Sequence, residues 1–355
     1  MSTSDAVAQA KPKTTAASAA GDTLLQVQDL KVHFPIGGGL FGRAKQYVKA
    51  VDGVSFAVPR GTTFGIVGES GSGKTTTALA VMRLVHLTAG RILLGDTDIG
   101  SAEGEALRSQ RRRFQMVFQD PFASLNPRKR AGDAVREAMD LMNAFAEAER
   151  DGRVRELFAA VGLRPEQHQL FPHQFSGGQR QRIVLARALA AHPELLVCDE
   201  PVSALDVAIQ AQILNLMQRL QQQLKLTYLF ISHDLGVVRH MCDRVAVMYL
   251  GVVVEMADRD TLFRLPLHPY TTALWSAAPS FNARARGRGK RIRLSGDPPS
   301  PIDLPSGCRF AGRCPAVEPE CQRVEPPLTE VSPGHFVRCR RVQMVDGVPQ
   351  PVLSP

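Results

Sequence analysis

Apolar and polar residues alternate in short runs from Leu24 onward, ending at Val54–Val58, and this period of two predicts a series of half-buried strands. The run Phe64-Gly65-Ile66-Val67 is continuously apolar, as a fully buried strand is, and a glycine-rich turn and a helix through Thr76 to Leu84 follow it. Between about Asn126 and Gly178 the spacing becomes helical: Met139, Leu141, Met142 and Phe145, then Val154, Leu157, Phe158 and Val161. That predicts a helical insertion. A second buried strand, Leu195–Cys198, runs into an acidic pair. Ile209, Ile213, Leu216, Met217 and Leu220 share one face of a helix over Ile209–Leu224; a strand Thr227–Ser232 and a hairpin Val245–Val254 come after it. Strands alternating with helices place the chain in the α/β class.

Composition then sets boundaries. Met1–Gly21 is rich in Ala, Ser, Thr and Lys and reads as a disordered leader over 1–22; Gly37–Ala44 reads as a flexible insertion. Near Ala283 the sequence shifts to a basic stretch, Arg284, Arg286, Arg288, Lys290, Arg291 and Arg293, and then to Pro-, Gly- and Cys-rich sequence. The expected organisation is a main domain over 23–282, its helical insertion at about 120–185, and a basic linker with a small Cys-rich module over 283–355. There is no internal repeat, so a single copy of the main domain is expected.

No run approaches the ~18 apolar residues of a membrane span; Val245–Val254 is too short and contains Gly251. Lys11 and Lys13 precede Thr, Ala and Ser rather than an apolar core, so no export signal is expected and the chain should stay in the cytoplasm. A formal charge of +9 suits nucleic acid, an anionic membrane surface or an acidic ligand alike. The basic stretch has no interleaved aromatics, and the chain holds only 1 Trp and 4 Tyr, which argues against nucleic acid. A solvated linker and contact with anionic lipid remain.

Gly68-Glu69-Ser70-Gly71-Ser72-Gly73-Lys74-Thr75 fits the phosphate-loop pattern G-x-x-x-x-G-K-[ST], between a strand and a helix as that pattern requires. The glycines allow backbone N–H groups to turn onto phosphates, with Thr76 following at the helix start. Lys74 is expected to reach the β- and γ-phosphates and Thr75 to bind Mg²⁺. Asp199, ending the apolar run from Leu195, is the second candidate Mg²⁺ residue, and Glu200 is placed to polarise an attacking water.

Further motifs carry a resemblance. Phe175-Ser176-Gly177-Gly178-Gln179 closely resembles the LSGGQ signature of ABC ATPases; Gln119 matches their Q-loop, Ser203-Ala204-Leu205-Asp206 their D-loop and His233 their switch histidine, in the family's order. Tyr47 lies near the place of the adenine-stacking aromatic, about two residues out of register. The resemblance implies a RecA-like P-loop core with an antiparallel β subdomain and a helical subdomain. It further implies a head-to-tail pair of subunits in which Ser176, Gly177, Gly178 and Gln179, with Asp206, serve the opposing nucleotide. His233 would meet the γ-phosphate, and Gln119 would sense Mg²⁺ and water and signal to the membrane partner.

Phe118–Arg128, the FSGGQRQR run of Phe175–Arg182, His268-Pro269-Tyr270-Thr271 and Gly296–Pro301 resemble the ATPases of dipeptide and oligopeptide importers, above all the second ATPase of the dipeptide system. Implied partners are two permease subunits, a non-identical second ATPase and, indirectly, a periplasmic binding protein, at the cytoplasmic face of the bacterial inner membrane. Import of nickel, glutathione or another small solute is an alternative, as is a soluble ABC ATPase acting on ribosomes or DNA. The double nucleotide domains or coiled-coil interruption expected of that last class are not seen in the sequence.

Cys308, Cys314, Cys321 and Cys339 sit in a segment with little apolar sequence of its own, which suits ordering by a metal. In the resembling importers such a block holds a four-iron, four-sulfur cluster; zinc and unligated thiols are the alternatives, and no tight C-x2-C pair is present. Their distance in sequence from the nucleotide motifs predicts a module that leaves the phosphate chemistry alone. Cys198 and Cys242 fall in strand and helix patterns and read as core residues.

Overall fold

The computed structural model describes residues 22–37, 46–277, 292, 294, 296, 297 and 299–352. The leader Met1–Gly21, all but the first residue of the insertion Gly37–Ala44 and the basic side chains between Arg284 and Arg293 lie outside the described residues.

Two long antiparallel strands open the fold, β1 (Thr23–Ile36) and β2 (Gln46–Pro59). Their pairing slips in register between Val27 and Leu30 and again between Leu30 and Lys31. Each bulge resets the in–out alternation, so one continuous strand reads in sequence as several short ones. Next come β3 (Thr63–Val67), α1 (Lys74–Val81), β4 (Ala89–Leu94), β5 (Thr97–Asp98), α2 (Gly104–Gln110) and β6 (Phe114–Val117). The helical insertion supplies α3 (Ala131–Leu141), α4 (Glu147–Ala160) and α5 (Gly177–Leu189). The chain then returns through β7 (Leu195–Asp199), α6 (Val207–Leu224), β8 (Thr227–Ile231), α7 (Leu235–Met241), β9 (Arg244–Tyr249) and β10 (Val252–Asp258). It continues into α8 (Arg259–Arg264), α9 (Pro269–Ala277), β11 (Thr329–Ser332), β12 (His335–Val337) and a small hairpin, β13 (Gln343–Val345) and β14 (Val348–Gln350).

One sheet is antiparallel, in the order β2-β1-β4-β5; the main sheet runs β11-β12-β10-β9-β3-β8-β7-β6. Within it, β9, β3, β8, β7 and β6 are mutually parallel and buried on both faces. Their side chains alternate between two cores. Phe64, Ile66, Leu195, Val197, Leu229 and Ile231 pack with α1 and the antiparallel sheet. Leu196, Cys198, Tyr228, Phe230, Val245 and Val247 pack with the helices on the other side. Cys198 and Cys242 are fully buried, as core residues are.

The C-terminal segment leans on this core. β12 extends the main sheet by pairing with β10, Glu255 opposite Val337 and Met256 opposite Phe336. Phe310 is buried against Tyr249 and Tyr270, with ring centroids 5.3 and 5.5 Å away. The apolar contact that the segment cannot build alone is thus drawn from β9 and α9.

Candidate nucleotide site

The parallel strands β3, β8, β7 and β6 end on one edge, the edge at which open α/β sheets bind ligands. The loop leaving β3 is held from both sides. A Cβ on Gly68 would run into the carbonyl oxygen of Met248, and one on Gly73 into that of Ala50; both residues have positive φ, 153° and 101°. Gly251 N–H donates to the Ser72 carbonyl at 2.9 Å. Helix α1 begins at Lys74, earlier than the apolar spacing indicates, with Gly73 as its N-cap and no side chain capping it. Its first N–H groups are therefore left for a ligand.

Lys74 is 6% exposed, and its ammonium donates to the carbonyls of Gly68 at 2.9 Å and Glu69 at 2.8 Å. Burial lowers its pKa, against the pull of the carboxylates of Glu200, Asp199 and Glu69. Ser72 Oγ is buried and finds no protein partner. A lysine satisfied only by carbonyls and an orphaned hydroxyl are what a loop awaiting phosphate oxygens presents.

Beside the loop, Thr75 Oγ1 donates to Asp199 Oδ1 at 3.2 Å. Burial raises the Asp199 pKa, opposed by that hydrogen bond. A hydroxyl and a carboxylate side by side fit Mg²⁺, which takes one or two protein oxygens and fills the rest of its octahedron with water and phosphate. Glu200, next in chain, adopts φ 48°, a left-handed conformation uncommon for a residue with a side chain. Its N–H donates to Ile231 O at 2.9 Å, pinning the turn to β8. In that pose one carboxylate oxygen lies 2.9 Å from His233 Nδ1, and the other accepts from Gln119 Nε2 at 3.1 Å. The ends of β6, β7 and β8 thereby bring together the three residues expected to act in hydrolysis.

The signature makes its own local contacts. Ser176 caps α5, its Oγ accepting from Gln179 N–H at 3.3 Å while Gln179 Oε1 accepts from Ser176 N–H at 3.0 Å. Gly177 and Gly178 pack on Leu205 and Ile209, where a Cβ on Gly178 would come within 2.5 Å of the isoleucine. Asp206 caps α6, accepting from Ile209 N–H at 3.0 Å. No hydrogen bond joins residues 176–179 to residues 68–75 among the described residues. Ser70 is exposed and Thr76 half-buried at the loop. Tyr47 lies in β2 opposite Pro35, 49% exposed.

Cys308, Cys314, Cys321 and Cys339 line one small cavity together with His268 and Phe310. All are free thiols, and burial raises the pKa of Cys308 and Cys314 and pushes Cys339 up to about 11. Among the described residues no three His, Cys, Asp or Glu side chains form a ready metal-ion site. The expected cysteine ligand set is thus gathered around one space without the compact arrangement of an ion site.

Sequence reasoning missed the contacts that brace the loop from the C-terminal side. Tyr270 Oη accepts from Glu69 N–H at 2.8 Å, and Arg313 pairs with the Glu69 carboxylate at 2.8 Å. Tyr270 lies in the His268–Thr271 block, whose sequence signals only a family resemblance, and nothing in sequence ties Arg313 to a loop 244 residues earlier.

A family model described as "ABC transporter" matches residues 51–203, and one described as "Oligopeptide/dipeptide transporter, C-terminal region" matches residues 254–321. The chain is 52% identical over 319 residues to the oligopeptide transport ATP-binding protein AppF of Bacillus subtilis (strain 168), covering 90% of this chain and 97% of that one. It is 48% identical to the putative oligopeptide transport ATP-binding protein YkfD of the same organism, over 89% of this chain and 94% of that one. Among solved structures it resembles a dimeric post-hydrolysis state of the ATP-binding cassette MJ0796 bound to ADP and Pi, with TM-score 0.59 and 26% identity over 66% of this chain and 99% of that one. It also resembles cbiO1 from Clostridium perfringens, part of the ABC transporter complex cbiONQ, with TM-score 0.58 and 26% identity over 68% and 91%. With the loop, the acidic pair and the signature in place, the chain belongs to the ABC transporter family, among the ATP-binding subunits of the oligopeptide and dipeptide importers.

Proposed function

We propose that this chain binds and hydrolyses ATP to energise the import of di- and oligopeptides across a bacterial inner membrane, on whose cytoplasmic face it sits. No described helix is long and apolar enough to cross a membrane; the reading assigns the membrane path to two permease subunits. The observation that carries the reading is the convergence of Gln119 and His233 on Glu200 beside the Thr75–Asp199 pair.

Each residue has a task that its contacts prepare. Lys74 exchanges its two carbonyl partners for the β- and γ-phosphate oxygens, and the N–H groups at the start of α1 meet the rest. Glu200 accepts a proton from water as that water attacks, its carboxylate aimed by His233 and Gln119. Thr75 and Asp199, with Gln119 nearby, would hold Mg²⁺, which neutralises charge on the phosphates. Ser176, Gly177, Gly178 and Gln179 open α5 and, among the described residues, make no hydrogen bond to their own chain's loop; we assign them to the nucleotide of an opposing ATPase subunit, with Asp206 at the same interface. We place Tyr47 against the adenine, and a non-identical second ATPase in the pair. The division into a leader (1–22), a nucleotide domain (23–282) and a linker with Cys-rich segment (283–355), the linker touching anionic lipid, belongs to the same reading.

For the cysteines we infer an iron–sulfur cluster. The reading rests on four thiols that line one cavity, the all-thiolate donor set that such a cluster takes, with zinc as the alternative. When bound, such a group would order the segment. Iron and sulfide in anaerobically purified protein support it; zinc alone favours the ion, and no metal leaves a tail of free thiols.

The function is tested in the transporter purified with its permeases and binding protein. Stimulation of ATP turnover by di- or oligopeptides is expected. Stimulation by nickel or glutathione with none by peptides would reassign the cargo. Two copies of this chain with no second ATPase would reject the unequal pair.

A further inference from the structure

The segment between Cys308 and Cys314 sends two arginines to the back of the phosphate loop. Arg309, 6% exposed at its side chain, donates to Leu250 O at 2.5 Å and to Asp52 Oδ2 at 2.6 Å. Leu250 belongs to the turn that clasps the loop, and Asp52, in β2, is tied to that turn: Asp52 N–H donates to Gly251 O and Gly251 N–H to Ser72 O. Arg313, immediately before Cys314, reaches the loop itself. It meets Glu69 with both terminal nitrogens, Nη1 to Oε2 at 2.8 Å and Nη2 to Oε1 at 3.3 Å, the fork geometry that Arg makes with a carboxylate. Its guanidinium also lies over the Tyr249 ring, 5.9 Å from the centroid, and donates to Tyr249 Oη at 3.4 Å. Tyr270 holds the Glu69 N–H, so both the backbone and the side chain of this loop residue are fixed from the C-terminal side.

Glu69 is an awkward residue in a loop built for a triphosphate. Its own backbone carbonyl accepts from the Lys74 ammonium at 2.8 Å, so its carboxylate adds a negative charge to the loop that the lysine serves. Unpaired, it would repel the phosphates and compete for the lysine. We propose that Arg313 is a positioning residue for the phosphate loop: by neutralising Glu69 and fixing its place, it leaves Lys74 for the nucleotide, so that ATP affinity depends on the docked cysteine segment. This rests on the reading of residues 68–75 as the phosphate loop. It also departs from the expectation, drawn from distance in sequence, that the cysteine segment leaves the phosphate chemistry alone.

The test measures equilibrium binding of the non-hydrolysable Mg·AMP-PNP to the full chain, with thermal melts to check folding. Arg313→Gln is expected to weaken binding by about tenfold, about 1.4 kcal/mol, because it leaves a negative charge uncompensated at the loop. Arg313→Lys, which retains the cation, is expected to stay within about threefold of the unaltered chain and supplies the readout should the glutamine variant fail to fold. The deciding arm is Glu69→Gln/Arg313→Gln, which removes both charges and should recover most of the loss. A contact that merely docks the segment would give a double variant as weak as Arg313→Gln, and that result overturns the proposal. So does unaltered affinity in Arg313→Gln while Lys74→Ala has lost it. Retained affinity in Lys74→Ala would instead sink the phosphate-loop reading, which keeps the two failures apart.

Discussion

Asp199 should carry a stability cost that its function requires. Its side chain is buried at the end of β7, and its recorded hydrogen bond comes from Thr75 Oγ1 at 3.2 Å; Lys74 is turned to the loop carbonyls instead. Burial is the largest influence on its pKa and raises it. The sign for stability follows. Below the unfolded pKa of about 3.9 the group is protonated folded or unfolded and costs nothing. As pH rises through the raised folded pKa, the native state must ionise a buried carboxyl and stability is lost.

Asp199→Asn keeps the shape and the acceptor for Thr75 but removes the charge. Without nucleotide at neutral pH it should gain on the order of 1 kcal/mol. For a domain of this size that is about 2–4 °C in melting temperature. The gain should vanish at low pH, and Mg-dependent ATP turnover should fall on the order of 100-fold or more. The assay is a pair of thermal unfolding curves across pH, with ATPase rates in the assembled transporter. A variant that melts at or below the parent at pH 7, or that hydrolyses ATP at a similar rate, would refute the reasoning.

Lys74→Ala should lose nucleotide binding itself, measured directly rather than through turnover, since its ammonium is the one the loop carbonyls hold in place. Gly178→Val should cost about 1–3 kcal/mol, read by denaturant unfolding, because even a Cβ there comes within 2.5 Å of Ile209. Purified alone, the subunit should hydrolyse ATP slowly, because on the proposed reading Ser176–Gln179 serve the opposing subunit's nucleotide; a rate equal to that of the assembled transporter would contradict that assignment.

The parts of the site that sequence reveals are those whose chemistry is local. The phosphate loop needs glycines where carbonyls of Met248 and Ala50 press in, and the strand β7 must run straight into Asp199 and Glu200, so both appear as short motifs. Gln119 and His233 were found by their order along the chain, yet their meeting on Glu200 follows from three parallel strands that no short motif encodes. Helices α1 and α6 start at Lys74 and Val207, two residues before the apolar spacing indicates, because caps, Gly73 and Asp206, define their starts. Least legible was the C-terminal segment. Strands of three and four residues, β12 and β11, leave no periodic signal, and an ion pair such as Glu69–Arg313 has no pattern to announce it.

The central claim is that Glu200 drives hydrolysis in a nucleotide site completed by a second subunit. Glu200→Gln tests it most directly, for glutamine can keep a bond to Gln119 and one to His233 while losing the base and its charge. In the assembled transporter the variant should bind ATP as well as the parent or better and lose turnover by about 10²–10⁴-fold. It should also stay as a closed pair of ATPase subunits with ATP held between them. Turnover near that of the parent, or no nucleotide-dependent closure, would contradict the account.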